Sequence, residues 1–556
     1  MPVSPPTLAD VAREAESLGL ASHPKGDRPD LTYGTAGFRT KADVLDHVLY
    51  RMGILAAIRS KTLGGQAIGV MVTASHNPVQ DNGAKLVEPM GEMLPIDWEV
   101  HATRIANAPD DGLAAAIIEI CTAVGADPAT RADVVVGRDT RPSSASLALA
   151  VCDGVGVLRS SAARSLGMTT TPQLHYVVRC EATAGAYGTP SLPGYGEKML
   201  KAFAKLIEPT EGKALAKYRP RAILDCANGV GAVAMRPLLG RLRTIGLEID
   251  LANTGEGELN QGCGADFVKM KQCQPSGVDT SEVRGLSFDG DADRILYYFG
   301  GGGATFHLLD GDRIALLMAH FVAGLLKKAG ISGLHLGLVQ TAYANGGSTA
   351  CAVKALGQEN VICAKTGVKH CHHAALELDV GIYFEANGHG TAVFSNAFAE
   401  RATVVAQSAD GEAAAAAKQL LVLRDVINEA VGDAISVFLA VEGILRLLDW
   451  SCEEWLAMYA DLPNRQIKVV VADRGAFETT DAERRCVRPE GFQDAIDALV
   501  AKYPGGRCFV RPSGTEDVVR VYAEAPSEND MLALAQGAVD LVYDKAGGRG
   551  QRPKVT

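Results

Sequence analysis

Residues 67–78 read Ala67-Ile68-Gly69-Val70-Met71-Val72-Thr73-Ala74-Ser75-His76-Asn77-Pro78. The apolar run Ala67–Val72 is short for a buried helix and suits a strand covered on both faces. Asn77-Pro78 then breaks the chain into a turn. Helical stretches at Arg51–Lys61 and Trp98–Asn107 lie on either side, with further strand-like segments at Tyr33–Thr40 and Asp133–Gly137. This alternation predicts an α/β fold built on a mixed or parallel sheet.

The layout of a strand running into a polar loop recurs three times. Leu286-Ser287-Phe288 leads into Asp289-Gly290-Asp291-Ala292-Asp293. If that loop is extended, residues two apart point to one side and the three carboxylates converge. Like charges so close would raise one another's pKa, and a hard divalent cation such as Mg²⁺ relieves that. Val380–Phe384 runs into Glu385-Ala386-Asn387-Gly388-His389-Gly390, whose carboxylate and amide suit sugar hydroxyls. Arg507–Val510 runs into Arg511-Pro512-Ser513-Gly514-Thr515-Glu516-Asp517. A guanidinium fork, two hydroxyls and glycine-permitted backbone N–H groups suit a phosphate, and Arg520 adds charge. Each loop also has an ordinary reading: a solvated acidic turn, a Gly-rich turn, an Arg-capped turn, and for Ser75 plain turn chemistry before Asn-Pro.

The chain has 556 residues, too many for one core, and a net charge of −11, which argues against a nucleic-acid or anionic-membrane surface. No run of eighteen apolar residues suggests a transmembrane helix. Residues 1–20 lack the apolar core of a signal peptide. Twelve cysteines without framework spacing are expected as reduced thiols in the cytoplasm. Ala222–Gly231 reads as strand, turn and helix start, Asp312–Lys328 and Val441–Tyr459 as helices, and Leu462-Pro463-Asn464-Arg465 as a linker. Lys369-His370-Cys371-His372-His373 has adjacent rather than ligand-spaced residues, which disfavours zinc. Gly300–Gly303 lacks the Lys-Ser/Thr of a P-loop and reads as a turn. The charges of Arg138–Arg141 read as an inter-domain ion-pair network.

Taken together and in order, the four loops resemble those of the α-D-phosphohexomutases. Tyr33-Gly34-Thr35-Ala36-Gly37-Phe38-Arg39 and Gly137-Arg138-Asp139-Thr140-Arg141-Pro142-Ser143-Ser144 are similar to two further signatures of that family, so the resemblance spans the chain. Within it, the flanks Ala74–Leu94, Thr169–His175 and Thr366–His370 resemble the eukaryotic acetylglucosamine-type branch. So does Asn387, where glucose-type members carry Ser.

The resemblance implies three similar α/β domains and a C-terminal α+β domain, TATA-box-protein-like, around a central cleft. The expected ranges are 1–182 with the serine loop, 183–299 with the metal loop, 300–455 with the sugar loop and 456–556 with the phosphate loop. It implies a phosphohexomutase that interconverts N-acetylglucosamine 6-phosphate and 1-phosphate through a phosphoserine and a sugar 1,6-bisphosphate, feeding UDP-N-acetylglucosamine synthesis. Ser75 would carry the phosphoryl group, with Ser75, Asp289, Asp291 and Asp293 as ligands of Mg²⁺. Lys85, Arg39, His76 and Arg294 would serve the transfer. Glu385, Asn387, Gly388, His389, Lys369 and His370 would hold the sugar. Arg511, Ser513, Gly514, Thr515 and Arg520 would hold the phosphate already present on it. The general base stays open among His76, Lys85, Arg294 and Lys369. The partner is a small sugar phosphate; the chain is expected as a monomer, with a dimer left open. Rival readings are a glucose- or mannose-type mutase, a non-catalytic relative, and a metal-dependent sugar phosphatase.

Overall fold

The computed structural model describes residues 7–300, 305–408, 410–513, 518–545 and 547–555. The chain forms two compact units. The first comprises 1–310, 387–391 and 419–451; the second comprises 311–386, 392–418 and 452–556.

In the first unit, β1 (Phe38–Lys41), β2 (Ile68–Val72), β3 (Asp81–Val87), β4 (Ala132–Arg138) and β5 (Ser161–Met168) form a sheet in the order β1-β3-β2-β4-β5. β2 is buried along its whole length, as its unbroken apolar run requires. It is parallel to β4 and antiparallel to β3. Helices Asp46–Thr62 and Ser144–Gly156 pack closely together because two glycines face the contact. A Cβ on Gly53 would meet the Val151 carbonyl oxygen at 2.1 Å, and one on Gly154 the Tyr50 carbonyl oxygen at 1.8 Å.

β6 (Arg221–Asp225), β7 (Glu248–Ala252), β8 (Arg284–Phe288), β9 (Ile295–Phe299) and β10 (His307–Leu309) make a second sheet, β10-β9-β8-β6-β7. It runs to Leu309, past the boundary drawn at 299, because β10 pairs with β9. A third sheet is built from β11 (Leu336–Thr341), β12 (Val361–Ala364), β13 (Val380–Phe384) and β14 (Gly390–Phe394) in the order β12-β11-β13-β14; all of it but Gly390 and Thr391 belongs to the second unit. The three sheets share one plan: parallel strands end in a strand, a polar loop follows, and the next strand returns beside it. The recurrence of strand and polar loop in the sequence is therefore a repeated architecture. The last segment is an α+β unit. Its sheet is β15-β19-β18, from β15 (Asn464–Val470), β18 (Arg507–Pro512) and β19 (Val518–Glu524), and β16 (Glu478–Thr480) pairs with β17 (Arg485–Arg488).

Two expectations change. The helix read over Val441–Tyr459 is two helices, Ala434–Leu448 and Cys452–Leu456. Asp449 turns left-handed between them, and its carboxylate accepts the amides of Ala216, Lys217 and Tyr218 at 2.9–3.0 Å. Residues 419–451 also pack in the first unit rather than with the third sheet's helices. Glu442 is buried there against Arg284 and Tyr218, and Asp433 accepts from the Tyr195 hydroxyl. Among the described residues, no helix is long and apolar enough to cross a membrane.

Candidate active site

Ser75 follows β2 and is fully buried, with its backbone in the left-handed region at φ 52°. Its hydroxyl donates to Asp289 Oδ2 at 2.5 Å, a contact between residues 214 apart. The Thr73 hydroxyl accepts the Ser75 amide at 3.0 Å, and two further side chains grip the carbonyls of the turn. Arg141 Nη2 donates to the carbonyls of Ser75 (3.1 Å) and Asn77 (2.7 Å), and Asn260 Nδ2 donates to the same two oxygens at 2.9 and 3.1 Å. Arg141 is itself buried against the carboxylate of Asp139. It is thus no member of an inter-domain ion-pair network; it positions the serine turn.

Asp289, Asp291 and Asp293 lie on the loop between β8 and β9, all buried, with one oxygen of each within 4.8 Å of the others. They do not converge by strand alternation. The loop is a turn with Ala292 left-handed at φ 57°, and Asp289 Oδ1 accepts the amides of Asp293 (3.1 Å) and Arg294 (3.2 Å). Asp291 Oδ2 accepts from the Thr171 hydroxyl at 2.6 Å. Lys85, on β3, donates to Asp291 Oδ2 at 3.2 Å and Asp293 Oδ2 at 3.1 Å. Asp291 Oδ1 and Asp293 Oδ1 are buried, and among the described residues no hydrogen-bond donor reaches them. Two unsatisfied buried carboxylate oxygens cost about 1–3 kcal/mol each, so a hard cation with oxygen ligands fits this donor set.

The electrostatics agree. Burial, with Asp293 and Asp291 alongside, pushes the Asp289 carboxyl well above the usual range. Burial also acts upward on Asp293, but the charges of His389, Lys85, Arg294 and Arg39 outweigh it and hold that carboxyl well below its ordinary value. Arg39, on β1 opposite Gly83 of β3, is one of these cations, and burial beside Arg294 lowers its own pKa. Arg294, burial and Arg39 drive the His76 pKa far down, so its imidazole is neutral.

The segment Asn387–Thr391 belongs to this same unit. The Ile295 amide donates to the Gly388 carbonyl at 3.3 Å, and Arg294 bridges to His389. Gly388 is left-handed at φ 89°, and a Cβ there would meet the Ile295 carbonyl oxygen at 2.1 Å. His389 Nδ1 stands 3.8 Å from Asp293 Oδ1, and Asn387 Oδ1 caps the His389 amide at 3.0 Å.

The second unit gathers the remaining candidates. Lys369, His370, His372 and His373 all lie on helix Val368–Leu376. His372 Nδ1 is 3.0 Å from the Tyr383 hydroxyl, and the aspartate trio is the one group suited to a metal among the described residues. Glu385 Oε1 accepts the Gly367 amide at 3.1 Å. Arg511, at the end of β18, faces Arg520 across β19 and pairs with Glu483 at 3.0 Å. Arg474 donates to the Ser513 carbonyl at 3.0 Å. Gly514, Thr515 and Gly301–Gly303 lie outside the described residues. Sequence reasoning missed Thr171, Asn260 and Glu483. Only Thr171 had a signal, in the Thr169-Thr170-Thr171-Pro172 run.

Comparisons agree along the chain. Family models match at 53–111 and 108–206 (phosphoglucomutase/phosphomannomutase, alpha/beta/alpha domain I), at 310–450 (phosphoacetylglucosamine mutase AMG1, domain III) and at 463–541 (phosphoglucomutase/phosphomannomutase, C-terminal domain). The chain is 50% identical over 536 residues to phosphoacetylglucosamine mutase of Sus scrofa, covering 96% of this chain and 98% of that one. Among solved structures it is similar to Aspergillus fumigatus N-acetylphosphoglucosamine mutase in complex with GlcNAc-6P and magnesium. That match has 46% identity and a TM-score of 0.89, over 98% of this chain and 99% of the other. A second structure from that organism, a serine-to-alanine variant in complex with glucose 1,6-bisphosphate, is 45% identical with a TM-score of 0.89, over 97% and 99%.

Proposed function

The chain belongs to the phosphoacetylglucosamine mutases of the α-D-phosphohexomutase superfamily, and on that premise we propose that it interconverts N-acetylglucosamine 6-phosphate and N-acetylglucosamine 1-phosphate. The observation that carries the reading is the Ser75 hydroxyl donating to Asp289 inside a buried aspartate trio.

Ser75 works as a phosphoserine. Asp289, Asp291 and Asp293, with an oxygen of that phosphate, would hold Mg²⁺, which when bound neutralises charge on the phosphoryl group. Phosphoryl transfer depends on positioning and charge neutralisation, and the chain meets both needs. Arg141 and Asn260 fix the serine turn. Lys85, Arg39 and Arg294 supply positive charge. Ser75 gives its phosphoryl group to the free hydroxyl of the sugar monophosphate: the bond from Oγ to phosphorus breaks, one from the sugar oxygen to phosphorus forms, the hydroxyl's proton passes overall to Oγ, and a sugar 1,6-bisphosphate results. The phosphate first carried by the sugar then returns to Ser75. Arg511, Ser513, Gly514, Thr515 and Arg520 hold the non-reacting phosphate. Glu385, Asn387, Gly388, His389, Lys369 and His370 contact the ring, and Asn387 reads the acetamido group. The 1-phosphate is the form a nucleotidyl transferase consumes, which places the enzyme before UDP-N-acetylglucosamine. All twelve cysteines are free thiols, in keeping with the cytoplasm.

The test is intact-mass measurement of the purified chain with peptide mapping, followed by turnover of N-acetylglucosamine 6-phosphate and glucose 6-phosphate. A phosphoryl adduct on Ser75 and preferential use of the acetylated sugar are expected. Steady release of free phosphate without 1-phosphate would make the chain a phosphatase instead.

A further inference from the structure

Glu483 lies on the turn joining β16 to β17, in a run of three residues with left-handed backbone: Asp481 (φ 54°), Ala482 (φ 52°) and Glu483 (φ 69°). Such angles are unfavourable for residues with a Cβ, so the tertiary contacts of this turn hold it in place. Among the described residues the Glu483 carboxylate makes one ion pair and one hydrogen bond. Oε1 lies 3.0 Å from Arg511 Nη2, and Oε2 accepts the amide of Thr366 at 2.9 Å. Both side chains of the ion pair are largely shielded, with 12% and 16% of their surfaces exposed.

The match between the carboxylate and its surroundings is incomplete. Arg511 Nε and the Thr366 hydroxyl are buried and make no hydrogen bond of full geometry among the described residues, and the Tyr343 hydroxyl lies beside the Arg511 guanidinium in the same condition. Each carboxylate oxygen could accept a second hydrogen bond, but as Glu483 is placed neither reaches Arg511 Nε or the Thr366 hydroxyl. A guanidinium takes an oxyanion best through two parallel N–H groups, and Glu483 engages one terminal nitrogen of Arg511. A phosphate presents three peripheral oxygens spread tetrahedrally. It can meet the second guanidinium N–H and the hydroxyl that Glu483 leaves unsatisfied.

We propose that Glu483 is an internal stand-in for the substrate's phosphate, holding Arg511 between turnovers and competing with the phosphate for it. This rests on the reading that assigns Arg511 to the substrate's non-reacting phosphate. Arriving phosphate displaces the carboxylate because it satisfies more of the donors. The returning carboxylate then favours release, which a mutase needs because its sugar bisphosphate must leave the cradle by one phosphate and re-enter by the other.

The probe is inorganic phosphate, titrated by calorimetry into the full chain as wild type, Glu483→Gln, Arg511→Ala and the double variant. Removing the competing charge is expected to tighten phosphate binding about three- to tenfold and to lower KM for N-acetylglucosamine 6-phosphate in parallel. In the Arg511→Ala background the Glu483 substitution is expected to have no effect. If Arg511→Ala weakens phosphate binding while Glu483→Gln leaves it unchanged or weakens it, Glu483 merely buttresses Arg511 and the proposal is overturned. If Arg511→Ala changes nothing, the assignment of Arg511 to the phosphate has failed, and the stand-in role fails with it. Glu483→Asp, which keeps the charge but shortens the reach, guards against a folding defect in the Gln variant. It is expected to tighten binding by less, and weaker binding in it also overturns the proposal.

Discussion

The side-chain amide of Asn260 donates to the carbonyl oxygen of Ser75 at 2.9 Å, tying a loop of the second sheet to the serine turn of the first. Ser75 sits at φ 52°, which costs a residue with a Cβ about 1–2 kcal/mol. Asn260 and Arg141 together offset that cost by gripping the carbonyls of Ser75 and Asn77. Asn260→Ala leaves these two carbonyls to Arg141, while the Thr73 hydroxyl still holds the Ser75 amide. We expect kcat to fall roughly tenfold with KM changed less than about twofold, since the loss is in positioning rather than in substrate contact. Steady-state kinetics check this; a loss carried mainly by KM would put Asn260 in substrate binding.

Ser75→Ala removes one hydrogen bond, to Asp289, and with it the hydroxyl proposed to carry the phosphoryl group. Mutase activity is expected to drop by several orders of magnitude while the thermal midpoint stays near wild type. Turnover close to normal in this variant would exclude the phosphoserine route.

Asp291→Ala takes away one of the three carboxylates proposed to hold Mg²⁺ and leaves Lys85 and the Thr171 hydroxyl short of an acceptor. A lower kcat and a higher Mg²⁺ requirement are expected, read from activity against Mg²⁺ concentration. Chelator treatment of the wild type should abolish activity and added Mg²⁺ restore it. Full activity in the chelated enzyme would remove the metal from the reaction.

Asn387→Ser installs the residue of glucose-type relatives. Asn offers a donor and an acceptor, while Ser is shorter and offers one hydroxyl. A lost hydrogen bond contributes on the order of 0.5–1.5 kcal/mol, more if its partner is left buried. We expect kcat/KM for N-acetylglucosamine 6-phosphate to fall roughly three- to a hundredfold, and that for glucose 6-phosphate to fall less. Equal losses for both sugars would mean that Asn387 acts only as the cap on the His389 amide.

His47 is buried with neither ring nitrogen hydrogen-bonded among the described residues, and burial together with Arg51, Arg28 and Lys25 pushes its pKa down to about 3. Between about 3 and the ordinary value of 6.5 the unfolded chain binds a proton at this residue and the folded chain does not. Stability therefore falls as pH drops through that window, by up to about 1.4 kcal/mol per pH unit from this one group. His47→Leu is expected to flatten the dependence of the thermal midpoint on pH between 6.5 and 4. An unchanged slope would assign the acid sensitivity to other groups.

Much of this was legible in the chain itself, because the physics that decided it is local. A buried strand needs an unbroken apolar run, and Ile68–Val72 is one. Asn77-Pro78 must turn, and three aspartates in five positions need a counter-charge. The repeated strand and polar loop became three sheets of one plan for the same reason. What the tertiary structure alone decided depends on partners far apart in sequence. The aspartates converge through a turn that Asp289 Oδ1 closes by accepting two amides, not through strand alternation. The helix expected over 441–459 breaks at Asp449 because amides from residues 216–218 claim its carboxylate. Asn260 lies 185 residues from the carbonyl it grips, and Glu483 lies 117 residues from the amide of Thr366. Propensity and periodicity report only on near neighbours. A hydrogen bond between distant segments leaves no trace in either until the chain has folded and buried both ends together.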